Sequence, residues 1–527
     1  MTRHYERLPT YEKNMEHELT RRELLEKLGL ATAGTLLGGA GAASQWLAGS
    51  QQSDLGSARA QERAPYLQIA LQAAPGQAQI RPGPMTNVLR FTASVLRGRQ
   101  DALLPSPGSY LGPTLSLWKG EPVTIIFSNN LEDESIVHWH GLYVPHYSDG
   151  HPMDAIGPGA LYAYHYRVWN RAGTYWYHPH PHMMTGPQVY AGLAGGLIVH
   201  DVEEQALDLP SGELDRLLVL QDRTFDSQNQ FVYLPNPMRG TLGREILVNG
   251  QPDYTLNVKT RAYRLRFLNG SNARIFKLAW GDGSPMTVIG TDGGLVEFPI
   301  EKPYVVLSPG ERVEIWADFR NRSIGEEIVL KSLAMSGLMY GVGQGNDPLP
   351  NGAPFDVMRF RVTQSEAEYR ELPKRLTTIR WHREEDAVNR KDPRYLTARW
   401  DADMGWVLND EPYDMHGTKP NERVRANTLE LWEIENLGGN ITMAHPIHLH
   451  GQQFRVLSRQ VHPMFQPGWE TVRYGYTDEG WKDTVLLMPG EKIRFLVRFD
   501  QYVGLFLYHC HNLEHEDMGM MRNYLVY

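Results

Sequence analysis

One pattern occurs three times in this 527-residue chain and limits its fold more than any other feature. A strand-like run ends in Asn: "VTIIFSNN" at Asn129, "YRLRFLNG" at Asn269 and "LELWEIEN" at Asn436. A second run then opens on Pro-Gly: "IGPGALYAYHYRV" at Pro158-Gly159, "LSPGERVEIWADF" at Pro309-Gly310 and "LMPGEKIRFLVRFD" at Pro489-Gly490. These second runs alternate polar and apolar residues, the period-two signature of a half-buried strand. The repeat recurs at about 150–180 residues, too long for a solenoid unit and right for a duplicated β-domain. Three consecutive β-sandwich domains are predicted, over 62–201, 202–366 and 367–527, and the chain is all-β. Plentiful Gly (50) and Pro (34) fit many short strands joined by turns. Helical signals are sparse, and the clearest, "SEAEYRELPKRL" at 365–376, reads as a helical linker after the second domain.

The repeat also supplies a register. Twenty residues after Pro158 stands His178 in "YWYHPH", and twenty after Pro489 stands His509 in "FLYHCH". The matching place in the second domain reads "EEIVLKSLAM" and has no histidine, which makes that domain a spacer. Four clusters hold ten of the twenty histidines: His138 and His140; His178 and His180; His445, His448 and His450; and His509, His511 and His515. Residues i and i+2 of a strand share a face about 6.6–7 Å apart. Each His-x-His therefore aims two imidazoles at one side. Four such pairs from two domains place eight imidazoles around one space, too many for one ion and suited to a cluster of three. A lone histidine on a strand is ordinarily a hydrogen-bonded polar residue, and zinc sites seldom use so many imidazoles. The matched repeat positions favour a redox metal cluster.

Cys510 is the only cysteine, so no internal disulfide exists. If His509 and His511 face the cluster, alternation turns Cys510 to the opposite side. There it can join His445, His515 and an axial Met520. Two imidazoles, a thiolate and a long thioether contact form the blue-copper electron-transfer set. The thiol would be a ligand and also a covalent junction between two metal sites.

These motifs, across most of 62–527, resemble the three-domain multicopper oxidases of the bacterial laccase and copper-efflux-oxidase type. The resemblance implies cupredoxin-like Greek-key sandwiches and four coppers per chain. It assigns His138 and His448 to the type 2 copper. It assigns His140, His178, His180, His450, His509 and His511 to the type 3 pair, and His445, Cys510, His515 and Met520 to type 1. Met518 and Met521 then read as packing residues. The implied reaction is four one-electron oxidations coupled to reduction of O2 to two waters. Two carboxylates match proton-handling positions of the family, Asp149 near the type 2 site and Glu516 on the O2 side. The sequence departs from the family at His182-Met183-Met184, where many relatives have Gly at the second position, and the roles of these three stay open.

The electron donor is a phenol or aromatic amine on this reading, with Cu(I) or another metal ion as the alternative. Cuprous oxidases often carry a methionine-rich insert, since thioethers suit Cu(I). This chain has 19 Met but no dense insert. Met335, Met339, Met404 and the "YDMHG" stretch with Asp414, Met415 and His416 are the candidates. A net charge of −9 and the lack of a Lys/Arg run argue against nucleic acid. Residues 1–60 read as a leader. Thr20-Arg21-Arg22-Glu23-Leu24-Leu25 precedes an uncharged run from Leu28 to Leu47, as in a twin-arginine export signal. Cleavage could follow Ala42 or Ala60. The run is too rich in Gly and Ala for a stable membrane anchor. A periplasmic or extracellular monomer is expected.

Overall fold

The computed structural model describes residues 66–106, 108–341, 343, 345 and 347–527; the leader at 1–60 lies outside them. The described chain is built of strands packed as three pairs of sheets. Strands within Leu67–Arg167 and within Leu103–His200 form the first pair. Strands between Asp215 and Gln364 form the second, and strands between Arg394 and Val526 the third. Each pair encloses its own apolar core. Ile69, Ile125 and Tyr164 lie in the first, Leu265, Phe276 and Ile315 in the second, and Trp432, Phe495 and Tyr524 in the third.

The threefold repeat is visible in the pairing. The Asn-ending strand runs antiparallel to the Pro-Gly-opened strand in every sandwich: Pro122–Asn129 with Leu161–Arg167, Ala262–Asn269 with Arg312–Asp318, and Thr428–Asn436 with Glu491–Phe499. On its other edge it runs parallel to the first strand of its own sandwich. The terminal Asn has one task in all three. Its side-chain amide donates to a carbonyl of the following loop and to the carbonyl two residues before the Pro-Gly proline. Asn129 Nδ2 donates to Asp133 O (2.9 Å) and Ile156 O (2.8 Å). Asn269 Nδ2 donates to Arg274 O (2.7 Å) and Leu307 O (2.8 Å). Asn436 Nδ2 donates to Met443 O (2.7 Å) and Leu487 O (3.4 Å). A buried loop needs partners for its carbonyls, and a short planar amide supplies two donors in one place.

Residues 365–376 do not form the expected helix. Pro373 cannot continue one, and tertiary ion pairs hold the segment extended. Glu366 and Glu368 pair with Arg261, Glu371 pairs with Arg320 (2.9 Å), and Leu376 N–H donates to Glu297 O (2.9 Å). Propensity is a weak prior against such contacts. The longest α-helix among the described residues, Thr185–Tyr190, has 6 residues, and no helix there is long and apolar enough to cross a membrane.

The sandwiches meet through two further apolar clusters. Tyr110, Trp176 and Leu268 join the first to the second, and Ile275, Val306 and Leu486 join the second to the third. The histidine strands of the first and third sandwiches face each other where those two sandwiches meet.

Candidate metal centre

Four strands carry the clusters. Val137–His140 pairs antiparallel with Gly173–Pro179, setting His138 opposite His178. His445–Leu449 pairs with Gly504–Cys510, setting His448 opposite His509. These two ribbons place eight fully buried imidazoles around one interior space. His138 Nε2 and His448 Nε2 stand 3.3 Å apart. His450 Nε2 lies 3.0 Å and His180 Nε2 3.4 Å from His509 Nε2, so these three form one group. On the far side of the first pair, the rings of His140 and His178 lie 5.0 and 5.3 Å from that of His511.

The strand alternation separates two sites. His509 faces the eight-imidazole space, while Cys510 Sγ points away, to His445 Nδ1 at 3.4 Å and His515 Nδ1 at 3.7 Å. Two ligand atoms about 2.0–2.3 Å from an ion and 120° apart lie about 3.5–3.7 Å from each other. Met520 is buried in the same core as Cys510, and its carbonyl accepts from the Cys510 N–H (3.0 Å). Asn512 N–H donates to the sulfur (3.4 Å), and Trp406 packs on His445 and His515 with ring centroids 4.7 and 5.3 Å away.

Protonation and hydrogen bonding suit metal. Five of the eight cluster imidazoles have Nδ1–H tied to an acceptor. His138 donates to Asp149 O (2.7 Å), His178 to Pro179 O (2.9 Å) and His448 to Asp483 O (2.8 Å). His450 donates to Asp149 Oδ2 (2.7 Å) and His509 to Cys510 O (3.1 Å). Anchoring one nitrogen fixes the tautomer and leaves Nε2 with its lone pair. Burial lowers the pKa of every cluster histidine with a resolved shift, to about 3 at His178 and about 4 at His180, so these rings are neutral at pH 7. His178 Nε2, His180 Nδ1 and both nitrogens of His511 are buried with no hydrogen-bond partner. Buried polar nitrogens without partners are costly in a protein interior unless something binds them. Burial likewise pushes the Cys510 thiol pKa up, so only a bound cation would make the thiolate stable there. The donor set, imidazoles with one thiolate, is that of copper.

Both candidate acids sit at the cluster. Asp149 bridges His138 and His450, and its Oδ1 makes no hydrogen bond, lying 3.6 Å from His138 Nδ1. Burial raises its carboxyl pKa well above the usual range, and Asp154 adds to the effect. Glu516 places Oε2 3.1 Å from His509 Nδ1 and Oε1 3.4 Å from His180 Nε2. Burial raises its pKa, and the neighbouring His180 and His509 outweigh that and hold it low.

One acid escaped the sequence reading. Asp483 is fully buried, its Oδ1 is 3.2 Å from His140 Nε2, and it groups with His140 and His448. It follows "GWK" in a loop without the His-x-His pattern, so spacing gave no signal. Two residues of the middle sandwich also reach the site. Arg312 pairs with Asp483, and Gly310 lies flat against His140 and His511.

The remaining candidates fall elsewhere. Met521 is buried, but Met518 is 60% exposed, so it is no packing residue; it follows the one-turn helix Leu513–Asp517 on the surface. Met183 is exposed with φ +63°, a left-handed conformation that glycine adopts without strain, which gives a backbone reason for the departure at this position. His182 packs on Tyr413 (5.2 Å between rings). The "YDMHG" stretch is held by Asn523, whose amide donates to the carbonyls of Asp414, Met415 and Gly417, and the Met415 sulfur accepts from Tyr413. A separate cavity of about 120 Å³ is lined by Ala444 and Pro446, which flank His445 in the chain, and by Asn512, two residues from Cys510. Met335, Met339 and Met443 line it, with Arg239 and Asp347.

Comparison with known proteins agrees with this chemistry. Family models described as multicopper oxidase match residues 88–204 and 387–527. A laccase of Bacillus subtilis is 32% identical over 483 residues, covering 79% of this chain and 88% of its own. The crystal structure of McoA multicopper oxidase from Aquifex aeolicus superposes with a TM-score of 0.75 at 34% identity, covering 88% of this chain and 98% of that one. A Campylobacter jejuni multicopper oxidase described as a metallo-oxidase gives 0.70 at 25% identity, over 88% and 94% of the two chains.

Proposed function

The chain belongs to the multicopper oxidase family, and from that premise we propose that it holds four coppers and works as a laccase-type oxidase of phenols and aromatic amines. The assignment of sites is the one the family resemblance implies, and the close grouping of the imidazoles supports it. His445, Cys510, His515 and Met520 form type 1; His138 and His448 form type 2. His140, His178 and His511 would hold one type 3 ion, and His180, His450 and His509 the other. Bound copper supplies one-electron chemistry at the first site and reduction of O2 to water at the cluster.

The protein's part is positional. Cys510 and its neighbours His509 and His511 make a path of one residue between the two sites. Asp149 keeps two imidazoles in the ligating tautomer. Glu516 stands beside His180 and His509, where it can deliver protons to the O2 side, and Asp149 serves the type 2 side. Three domains carry out these tasks, at 62–201, 202–366 and 367–527. A twin-arginine leader at 1–60 would export the folded monomer to the periplasm or beyond.

The cavity beside His445 is the observation that carries the donor class. Arg239, Asp347 and Asn351 line it together with apolar side chains, so it offers a phenol or aromatic amine both polar and apolar contacts. Its three methionines favour a second reading, oxidation of Cu(I), whose soft ion suits thioethers. Oxygen uptake with a dimethoxyphenol and with chelator-buffered Cu(I) separates them. A phenol rate that needs no free copper supports the laccase reading. A high Cu(I) kcat/KM, with phenol turnover only when copper is added, overturns it.

A further inference from the structure

The middle sandwich supplies no imidazole, yet it holds a buried arginine against the cluster. Arg312 Nη1 and Nη2 grip the Asp483 carboxylate at 2.7 and 2.6 Å. The same guanidinium donates to Thr174 O (2.9 Å) of the first sandwich and to Asp292 O (2.9 Å) and Gly310 O (3.0 Å) of its own. One side chain thus ties all three sandwiches together, with no exposed surface on either partner of the ion pair.

What Arg312 grips is the anchor of two imidazoles. The Asp483 carbonyl accepts from His448 Nδ1 (2.8 Å), and its Oδ1 faces His140 Nε2 (3.2 Å). Thr484 Oγ1 fills the remaining corner, 3.1 Å from each of those two imidazole nitrogens and 3.0 Å from Asp483 Oδ1. There is no slack around this arrangement. A Cβ on Gly141, the residue after His140, would lie 2.5 Å from Asp483 Oδ2 and 2.7 Å from Arg312 Nη2. A Cβ on Gly310 would lie 2.9 Å from His511 Cδ2 and 3.0 Å from His140 Cε1.

We propose that Arg312 is a positioning residue for the site between His138 and His448: it clamps Asp483 across the junction, and Asp483 in turn sets the angle of His448 and His140. The inference rests on the reading of His138 and His448 as a copper site. A planar fork that binds a carboxylate at two points fixes direction as well as charge. Lysine would keep the charge and lose the direction.

The test compares holoenzymes of wild type, Arg312→Lys and Asp483→Asn by copper content, by the electron paramagnetic resonance of the non-blue copper, and by chelator competition. Partners one step behind the ligands are typically worth about 10–100-fold in metal affinity. Both variants are expected to lose the non-blue copper to chelator at about 10–100-fold lower concentration, with the blue absorption at Cys510 unchanged. Should Asp483→Asn fail to fold, Arg312→Lys decides the matter by the same three measurements. Arg171→Gln is the control. Arg171 also joins the first and second sandwiches, donating to Gly293 O (3.4 Å) and Leu295 O (3.2 Å). Equal loss of copper in Arg171→Gln would make Arg312 a docking residue only and overturn the proposal. So would wild-type chelator resistance in Arg312→Lys. A wild-type protein with no non-blue copper signal would refute the site assignment itself.

Discussion

Removing the amide of Asn269 should unsettle the second sandwich more than a typical buried substitution. The side chain makes three buried hydrogen bonds: to Arg274 O at 2.7 Å, to Leu307 O at 2.8 Å, and from Ser271 N–H to its Oδ1 at 3.0 Å. Each such bond contributes about 1 kcal/mol net, and each carbonyl left buried without a partner costs about 1–3 kcal/mol. Asn269→Ala should therefore lose about 3 kcal/mol or somewhat more. For a sandwich of this size about 1 kcal/mol moves the midpoint by about 2–4 °C, so calorimetry at a fixed scan rate should show Tm lower by about 6–12 °C. Asn269→Asp should be at least as damaging, because a carboxylate oxygen would replace the donor that faces two carbonyls. Asn129→Ala should match Asn269→Ala. Asn436→Ala should cost less, since its second bond is long at 3.4 Å. Alanine variants within about 1–2 °C of wild type would refute the idea that this amide holds the repeat together.

Four other outcomes are expected. Cys510→Ser should remove the blue absorption and one copper per chain and lower turnover by more than about 1000-fold, because the hydroxyl replaces the only thiolate; metal analysis and a visible spectrum check this. Glu516→Gln should slow O2 consumption about 100-fold while the first reduction of the blue site by donor, followed without oxygen, keeps its rate. Chelating all copper should lower Tm, since metal binds the folded form alone, and the drop should reverse on reloading. His151 is buried and neutral, with Nε2–H donated to Asn523 Oδ1 (3.0 Å) and Nδ1 accepting from Met153 N–H (3.1 Å). Burial lowers its pKa to about 3, so the unfolded chain binds its proton first as pH falls. That stability is complete above about pH 6.5 and is lost as pH falls toward about 3, amounting to about 2 kcal/mol by pH 5. His151→Gln should therefore flatten the acid limb of holoprotein stability between pH 7 and 5; parallel limbs would contradict it.

Much of this was legible in the sequence because it depends on short range. Period-two alternation alone separates Cys510 from His509, and Asn and Pro-Gly mark strand ends that each sandwich builds from its own residues. The exceptions depend on contacts between distant segments. Asp483 matters because Arg312, 171 residues away, holds it against His140, 343 residues away. No local pattern encodes such a triangle. Gly310 reads as a turn glycine, and only the packed sandwiches show that its missing Cβ makes room for His511. The 365–376 segment has helical composition, but Arg261 and Arg320 pull its acids into ion pairs. "YDMHG" brings soft and acidic groups together in sequence, whereas the methionines beside His445 and Cys510 come from residues 335, 339 and 443.

The most direct test of the account is the ratio of donor oxidised to O2 consumed, measured with a one-electron phenolic donor in an oxygen electrode with peroxide detection. If the cluster collects electrons that enter at the Cys510 site, four donors are oxidised per O2 and no peroxide is released. A ratio of two, with hydrogen peroxide accumulating, would mean that the histidine cluster does not complete the reduction and would contradict the account.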